Sequence, residues 1–332
     1  MTRVTRTFML EHQKNASVAN YRNDAVIRPR RRALVAGIND YQSSANNLPS
    51  CINDVNAFVE VLQEDYAFDE IVRLVDSEAT LAHVSATLRQ LIAGATPDDR
   101  LVFFFSGHGS NELRDGVIKE CVVLYDGFLF DDAISQMTQA LPPGTLTLVM
   151  DCCFSGGLDK RSMAPMCKHF GIAQEAKVKA YTRPGQCVDH LPSQAGAHAI
   201  RRFGGPALIR SSSPIATALD PAIDFQDIAS APPPDKIGRV QIKGVLLSAC
   251  RETETATAST ASTEGKSAFT FALLRSLKKI GVGATLVELI RATASTIQSI
   301  GLTQTPLLKE PELPAGIRFR SFIDLAPKDV AD

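Results

Sequence analysis

Short apolar runs that end in small or polar residues recur along the chain, separated by longer segments in which apolar residues have helical spacing. Each run is too short for a helix and has the length of a buried strand. The runs cover residues 32–38, 71–75, 101–105, 146–151 and 244–250. Strands of this kind that alternate with helices predict a mostly parallel sheet.

The helical segments fit between these runs. Apolar residues recur there every three or four positions, so that each helix has one apolar face. The segments open within residues 48–54 and at about Thr80, and cover about 132–141, 266–279 and 285–300. Because such helices cover both faces of a parallel sheet, we predict an α/β fold in which a central sheet lies between two helical layers, an αβα sandwich.

Residues 158–240 interrupt the alternation. Proline and glycine are frequent there and apolar periodicity is poor, which is unusual for a run of this length inside a compact domain. The open interpretations are an inserted subdomain, a mobile lid over a site, and a linker that is processed. Residues 253–263 are rich in threonine, serine and alanine, and we predict that they form a flexible loop.

These boundaries divide the chain into four parts. A polar and basic arm, residues 1–30, precedes the first strand. Residues 31–157 and 241–325 are predicted to form two parts of one α/β domain, with the insert between them. A further short strand is predicted over Cys121–Tyr125, and prolines after residue 305 predict an extended tail.

Composition and charge narrow the classes of function. The 332 residues carry a formal net charge of −1, which argues against nucleic acid as a partner; the arm is interpreted as solvated, with a nucleic-acid-binding tail as the alternative. No apolar run reaches the ~18 residues of a membrane span, and the N-terminus lacks the apolar core of a secretory signal. Seven cysteines without a CxxC pair favour reduced thiols, a cytoplasmic location and no zinc site.

Candidate chemistry lies directly after two of the predicted strands. Residues 101–105 are followed by Ser-Gly-His-Gly-Ser with His108 at its centre, and residues 146–151 are followed by Cys152 and Cys153. The carboxyl ends of parallel strands meet at one edge of the sheet, where open α/β sheets bind ligands. A cysteine nucleophile and a histidine acid–base are therefore predicted in one crevice.

These motifs resemble those of the caspase-type cysteine peptidases, and more closely the metacaspases and their bacterial relatives. The motifs are SGHGS, DCCFSGG, GINDY, LPSCIND and LLSAC, and the histidine precedes the cysteine by about 45 residues, against roughly 50 in caspases. The resemblance covers about residues 31–157 and 240–310. It implies the caspase-hemoglobinase fold, an endopeptidase that acts on proteins or peptides, and a monomer.

The family pattern places the reactive cysteine before x-Ser-Gly, which selects Cys153, while strand alternation points Cys152 to the other side. Phe154 stands where the family usually has histidine. The implied reaction is peptide hydrolysis through a thioester, in which Cys153 attacks the carbonyl and His108 gives a proton to the leaving amine. The backbone N–H groups of Gly109 and Cys153 are the candidate donors to the oxyanion.

The resemblance also implies a specificity pocket formed by Cys51, Asp54, Ser106 and Asp151. Two carboxylates there favour Arg or Lys before the cut, through charge-assisted hydrogen bonds. The alternatives are that Asp54 caps the first helix, and that Asp151 is a hydrogen-bonded acid at a strand end. Basic residues recur in the insert, which suggests that the enzyme cleaves itself there after Arg or Lys.

The resemblance implies one possible cofactor, calcium, which would act as an activator and is not required for the chemistry. Many metacaspases need it, and Asp126, Asp131, Asp132 and Asp159 lie roughly where that family's acidic ligands fall; oxygen ligands suit calcium. The alternative for Asp131 is a cap of the following helix. For the whole protein, the rival hypotheses are an inactive caspase-like scaffold and a serine hydrolase, which the absence of a GxSxG elbow disfavours.

Overall fold

The computed structural model describes residues 29–114, 117–153, 177–179, 181, 242–251, 254–311 and 314–323. The predictions for the N-terminal arm and for most of the insert therefore lie outside the described residues. Among the residues described, no helix combines the length and the apolar character that a membrane crossing needs.

The predicted strands and helices are present, with shifts of a few residues at their ends. The strands are β1 (Arg31–Gly37), β2 (Glu70–Val75), β3 (Arg100–Ser106), β4 (Gly109–Arg114), β5 (Val117–Val123), β6 (Phe128–Phe130), β7 (Leu146–Asp151), β8 (Val245–Ser248) and β9 (Leu307–Lys309). The helices are α1 (Cys51–Glu64), α2 (Leu81–Ile92), α3 (Asp131–Thr138), α4 (Ala268–Ile280) and α5 (Leu286–Ser299).

A six-stranded sheet forms the centre of the molecule, in the order β2-β1-β3-β7-β8-β9. All of its neighbouring strands are parallel except β9, which is antiparallel to β8. The extended tail predicted from its prolines thus supplies the antiparallel edge strand. This architecture confirms the predicted α/β fold with a mostly parallel sheet.

The two faces of the sheet are covered by different helices. Alternate residues of β1 point to opposite sides, with Ala33 and Val35 in one hydrophobic cluster and Leu34 and Ala36 in the other. The first cluster contains the apolar faces of α1, α4 and α5, and the second contains those of α2 and α3. The sheet is therefore buried on both sides, which is why its strands lack polar alternation.

The chain after β3 forms a second, three-stranded antiparallel sheet in the order β4-β5-β6. The sequence predicted only the Cys121–Tyr125 part of it. The strand β4 begins at Gly109, directly after His108. This small sheet consequently lies beside the edge of the large sheet at which β3 ends.

Removing the ring of Phe58 is expected to destabilise the fold by about 3–5 kcal/mol, because a Phe58→Ala change leaves a cavity in the core. The ring is fully buried on α1, stacks on Phe104 of β3 at 4.3 Å between centroids and meets the edge of Phe322. Urea unfolding of the two proteins measures the difference.

The control for this change is Val72→Ala, since Val72 on β2 is 43% exposed. Its expected cost is about 0.5 kcal/mol or less. Equal losses in the two variants would contradict the placement of the core.

Candidate active site

The ends of β3 and β7 bring His108 and Cys153 to the same edge of the large sheet. Ser106 pairs with Asp151 in the parallel register, so each of the two candidate residues follows a paired position by two residues. The Gly107 N–H donates to the Asp151 carbonyl oxygen at 3.2 Å, which continues the contact beyond the strands.

Close contact of the two loops requires glycine at position 109. A Cβ atom built on Gly109 would lie 1.8 Å from the carbonyl oxygen of Cys153 and 2.7 Å from its carbonyl carbon. Both atoms belong to the backbone and cannot rotate away. The loop that carries His108 and the segment that carries Cys153 therefore fit together only because Gly109 has no side chain.

The His108 ring is held by two neighbours in the loop after β1. Its Nε2 lies 2.7 Å from the Asn46 carbonyl oxygen, and because a carbonyl only accepts, Nε2 carries the hydrogen and Nδ1 the lone pair of the neutral imidazole. The Tyr41 ring lies 4.9 Å from the His108 ring. The Tyr41 hydroxyl accepts from the His108 N–H at 2.8 Å and donates to the Val123 carbonyl at 3.3 Å.

The Cys153 thiol is fully buried in the form of the protein described. Its sulfur accepts a hydrogen bond from the Ala256 N–H at 2.8 Å. Cys153 packs in the cluster on the α1 side of the sheet, whereas Cys152 packs in the cluster on the α2 side. The predicted divergence of the two neighbouring cysteines is thus confirmed.

Asp54 lies inside the first turn of α1, whose N-cap is Ser50, so the alternative that Asp54 is the cap of this helix is excluded. The carboxylate is fully buried and accepts hydrogen bonds from the Ser267 N–H at 2.7 Å and from the Ser106 hydroxyl at 2.6 Å. Burial raises the pKa of the Asp54 carboxyl, and Lys179 opposes that effect.

Asp151 ends β7 and faces the N-terminus of α4. Its Oδ2 accepts from the Thr270 N–H at 3.0 Å and from the Thr270 hydroxyl at 2.6 Å. Thr270 is in the first turn of that helix, where N–H groups lack partners within the helix and the dipole favours a negative charge. Asp151 is therefore a hydrogen-bonded strand-end acid, and its other oxygen lines the pocket.

The pocket between these carboxylates contains the side chain of Lys179, a residue of the insert. The Lys179 Nζ lies 2.8 Å from Asp151 Oδ1 and 3.6 Å from Asp54 Oδ2, and all three side chains are fully buried. It also donates to the Ser106 hydroxyl and to the Asp151 carbonyl, each at 2.8 Å. The pocket thus surrounds the Lys179 ammonium with oxygen atoms.

This buried group sets two carboxylates against one ammonium. Burial by itself lowers the pKa of Lys179, but the negative charges of Asp151 and Asp54 raise it above its ordinary value, so the ammonium stays charged. Burial raises the pKa of the Cys51 thiol to about 12. Cys51 is therefore a neutral wall of the pocket, and the negative charge comes from the two carboxylates.

The backbone of residues 177–179 lies as a short strand along the loop after β8. Val178 pairs antiparallel with Thr257, the Lys179 N–H donates to the Ala256 carbonyl at 3.0 Å, and the Ala258 N–H donates to the Lys177 carbonyl at 2.8 Å. Addition of a strand to an exposed edge is a common mode of peptide binding.

The carbonyl of Lys179 points to the predicted oxyanion donor. Its oxygen accepts from the Gly109 N–H at 3.3 Å. The side chain of Lys179 is in the acidic pocket while its carbonyl lies on the loop of His108. The two ends of one residue are thus bound at two neighbouring points of the site.

The loop that binds this segment was predicted to be flexible, and over residues 254–263 that prediction is wrong. Ala256, Ala258 and Thr263 are buried. The Thr257 N–H donates to the Gln304 side chain at 2.9 Å, which fixes the loop to the segment before β9. Its small side chains let a peptide backbone approach closely.

The described acids of the predicted calcium site are engaged elsewhere. Asp126 accepts from the Leu81 N–H at the start of α2, and Asp132 forms an ion pair with Lys119. Asp131 is not the N-cap of α3, which is Phe130, but its Oδ1 accepts from the Asp132 N–H at 2.9 Å in the first turn of that helix. Asp159 lies outside the described residues.

Among the residues described, no group of three or more histidines, cysteines or acids is arranged to hold a metal ion. The described acids therefore do not fit a calcium site, and calcium dependence stays a prediction.

Sequence reasoning missed several residues of the site. Ser267 and Thr270 open a predicted helix, and their N–H groups could have been identified as anion-binding positions. Lys179 is one of many basic residues in the insert, and no local signal distinguishes it from Lys177 or Arg183. Asn46 acts through its backbone carbonyl, which no side-chain pattern reports.

Comparison with known proteins agrees with this geometry. The family model described as "Caspase domain" matches residues 30–315. Metacaspase-9 of Arabidopsis thaliana is 29% identical over 316 residues, which are 84% of this chain and 93% of that protein. Metacaspase-1 of Yarrowia lipolytica is 35% identical over 146 residues, 38% of this chain and 32% of that protein.

A solved structure shares the fold. The crystal structure of a Geobacter sulfurreducens protein superposes with a TM-score of 0.55 at 18% sequence identity, covering 88% of this chain and 98% of that one. The family model spans most of the chain, including both strand ends that carry the candidate residues. The chain therefore belongs to the caspase-domain family of cysteine peptidases.

Proposed function

We propose that this protein is an endopeptidase that cuts after Lys or Arg with Cys153 as nucleophile and His108 as acid–base. The Cys153 thiol gives its proton to the neutral His108 imidazole, which becomes an imidazolium. The Cys153 sulfur attacks the carbonyl carbon, and the resulting oxyanion is bound by the Gly109 N–H. The His108 imidazolium then gives a proton to the leaving amine as the C–N bond breaks, and water hydrolyses the thioester.

One observation carries this proposal: the Lys179 ammonium, fully buried between the carboxylates of Asp54 and Asp151. A neutral side chain in the same pocket would leave buried negative charge uncompensated, which costs on the order of 3–5 kcal/mol. Since about 1.4 kcal/mol is a factor of ten in rate, basic residues are expected to be favoured over neutral ones by 100-fold or more.

The same contacts support self-processing. Lys179 belongs to the chain's own insert, its side chain occupies the pocket and its carbonyl oxygen accepts from Gly109. We infer that the enzyme cuts itself between Lys179 and Ala180. Until that bond is cut, the segment blocks the site against other substrates.

The test is a panel of fluorogenic tetrapeptide amides that differ only in the residue before the bond. Wild type is expected to hydrolyse the Lys and Arg members at least about 100-fold faster than the Gln and Asp members. Each assay is run with and without calcium, which also tests the prediction that calcium activates the enzyme.

Cys153→Ala is the matched control and is expected to be inactive on every substrate. If wild type and Cys153→Ala hydrolyse the amides equally slowly, the protein is an inactive caspase-like scaffold. If the Asp substrate is preferred, the assignment of the acidic pocket is wrong.

A further inference from the structure

Tyr181 lies on the far side of the proposed cleavage point and has its own binding surface. It follows Lys179 by two residues and is half-buried. Its ring meets the Phe128 ring edge-on, with centroids 5.8 Å apart at 82°. It also meets the His108 ring edge-on, at 6.2 Å and 63°.

The surface under Tyr181 is supplied by the small sheet. Phe128 opens β6, and the Gly127 carbonyl accepts from the Leu124 N–H in the tight turn before it. The first strand of the same sheet starts directly after His108. The sheet therefore holds an aromatic side chain beside the catalytic histidine, on the side where the leaving part of a substrate lies.

The contact is of a kind that discriminates among side chains. Edge-to-face aromatic pairs with centroids 4.5–7 Å apart stabilise beyond the area they bury, and an alanine in place of Tyr181 would make neither pair. Phe128 and Tyr181 both pack against the cluster on the α2 side of the sheet. This cluster gives the site a fixed apolar floor.

We propose that the surface formed by Phe128 and His108 is a specificity subsite for an aromatic residue at the second position after the cut. The inference rests on the proposed cleavage after Lys or Arg. The substrate class is then narrower. It consists of polypeptide segments in which Tyr, Phe or Trp stands two positions after the basic residue, with one residue between them. Tyr181 is the occupant that the chain itself provides.

The test compares two internally quenched peptides, Val-Lys-Ala-Tyr and Val-Lys-Ala-Ala within otherwise identical flanks, and a fluorogenic Val-Lys amide that has no residue after the cut. Wild-type full-length protein is expected to cleave the tyrosine peptide with a kcat/KM about tenfold higher than the alanine peptide. Mass spectrometry of the products confirms that the cut follows the lysine in both.

Variants at Phe128 assign the preference to this surface. The ratio of the two peptides should fall to about one in Phe128→Ala and should persist in Phe128→Tyr, which keeps the ring. This ratio is insensitive to partial loss of folded protein, because both peptides are measured on the same preparation.

Each outcome separates the two proposals. Cleavage of the Val-Lys amide together with equal rates on the two longer peptides would overturn the aromatic subsite and leave the basic pocket intact. A preference that persists in Phe128→Ala would also overturn it. Failure to cleave any of the three substrates would reject the proposed function, and the subsite with it.

Discussion

A Lys179→Gln chain is expected to stay a single polypeptide under conditions in which wild type separates into two fragments. Glutamine has nearly the length of lysine but cannot neutralise Asp54 and Asp151, which are fully buried beside Nζ. Leaving that charge uncompensated costs on the order of 3–5 kcal/mol, so cleavage should slow by 100-fold or more. Intact-mass measurement over time gives both the rate and the position of the cut.

Two variants control this experiment. Lys179→Arg keeps the charge and should still be cut after residue 179. Lys177→Gln should be cut like wild type, because the Lys177 ammonium is exposed and bonds only to the Asn47 carbonyl among the contacts seen. A Lys179→Gln chain that is still cut at this bond, or a wild-type chain cut elsewhere in the insert, would show that Lys179 is not the residue before the scissile bond.

The dependence on protein concentration adds a second readout. Because the segment is already bound in its own chain, the wild-type rate should not change on dilution. A rate proportional to concentration would indicate that one molecule cuts another, and that the bound segment is only an inhibitor.

The large sheet could be predicted from the sequence because each of its strands is marked by a pattern within a few neighbouring residues. Strands buried on both faces are continuous apolar runs, and the runs at 101–105 and 146–151 end in glycine-rich or thiol-bearing segments that cannot extend the strand. The parallel order of such strands brings their ends together. The sequence therefore predicts that His108 and the two cysteines lie at one edge of the sheet, and the resemblance to the family pattern selects Cys153 over Cys152.

The rest of the site could not be predicted because it depends on contacts distant in sequence. Asp54 binds Ser267, more than 200 residues away, and the pattern at Asp54 alone equally fits a helix cap. The strand β4 is largely polar and β6 has only three residues, so neither gives the apolar run that predicts a buried strand. Lys179 is distinguished only by its place in the pocket.

Loss of one negative charge in the pocket is expected to have a large effect on activity. Asp54→Asn should lower kcat/KM on a Lys amide by 100-fold or more. The change keeps the shape of the side chain and removes one of the two charges that hold the ammonium. Removing one member of a buried ionic group costs on the order of 3–5 kcal/mol. The loss should be much smaller on a substrate with Gln before the bond, since that side chain has no charge to be held.

Asp65→Asn is the matched control, because Asp65 is the exposed acid at the other end of α1; its rates should equal those of wild type. The pH profile distinguishes a role in binding from a role in folding. Burial raises the pKa of Asp54, so this carboxylate loses its charge at a higher pH than an ordinary aspartate does. As the pH is lowered, the wild-type rate on the Lys amide should therefore begin to fall at that higher pH. The pH–rate profile of Asp54→Asn should lack this fall of the rate at acidic pH. Equal losses on Lys and Gln substrates with an unchanged fall of the rate at acidic pH would mean that Asp54 only supports the fold.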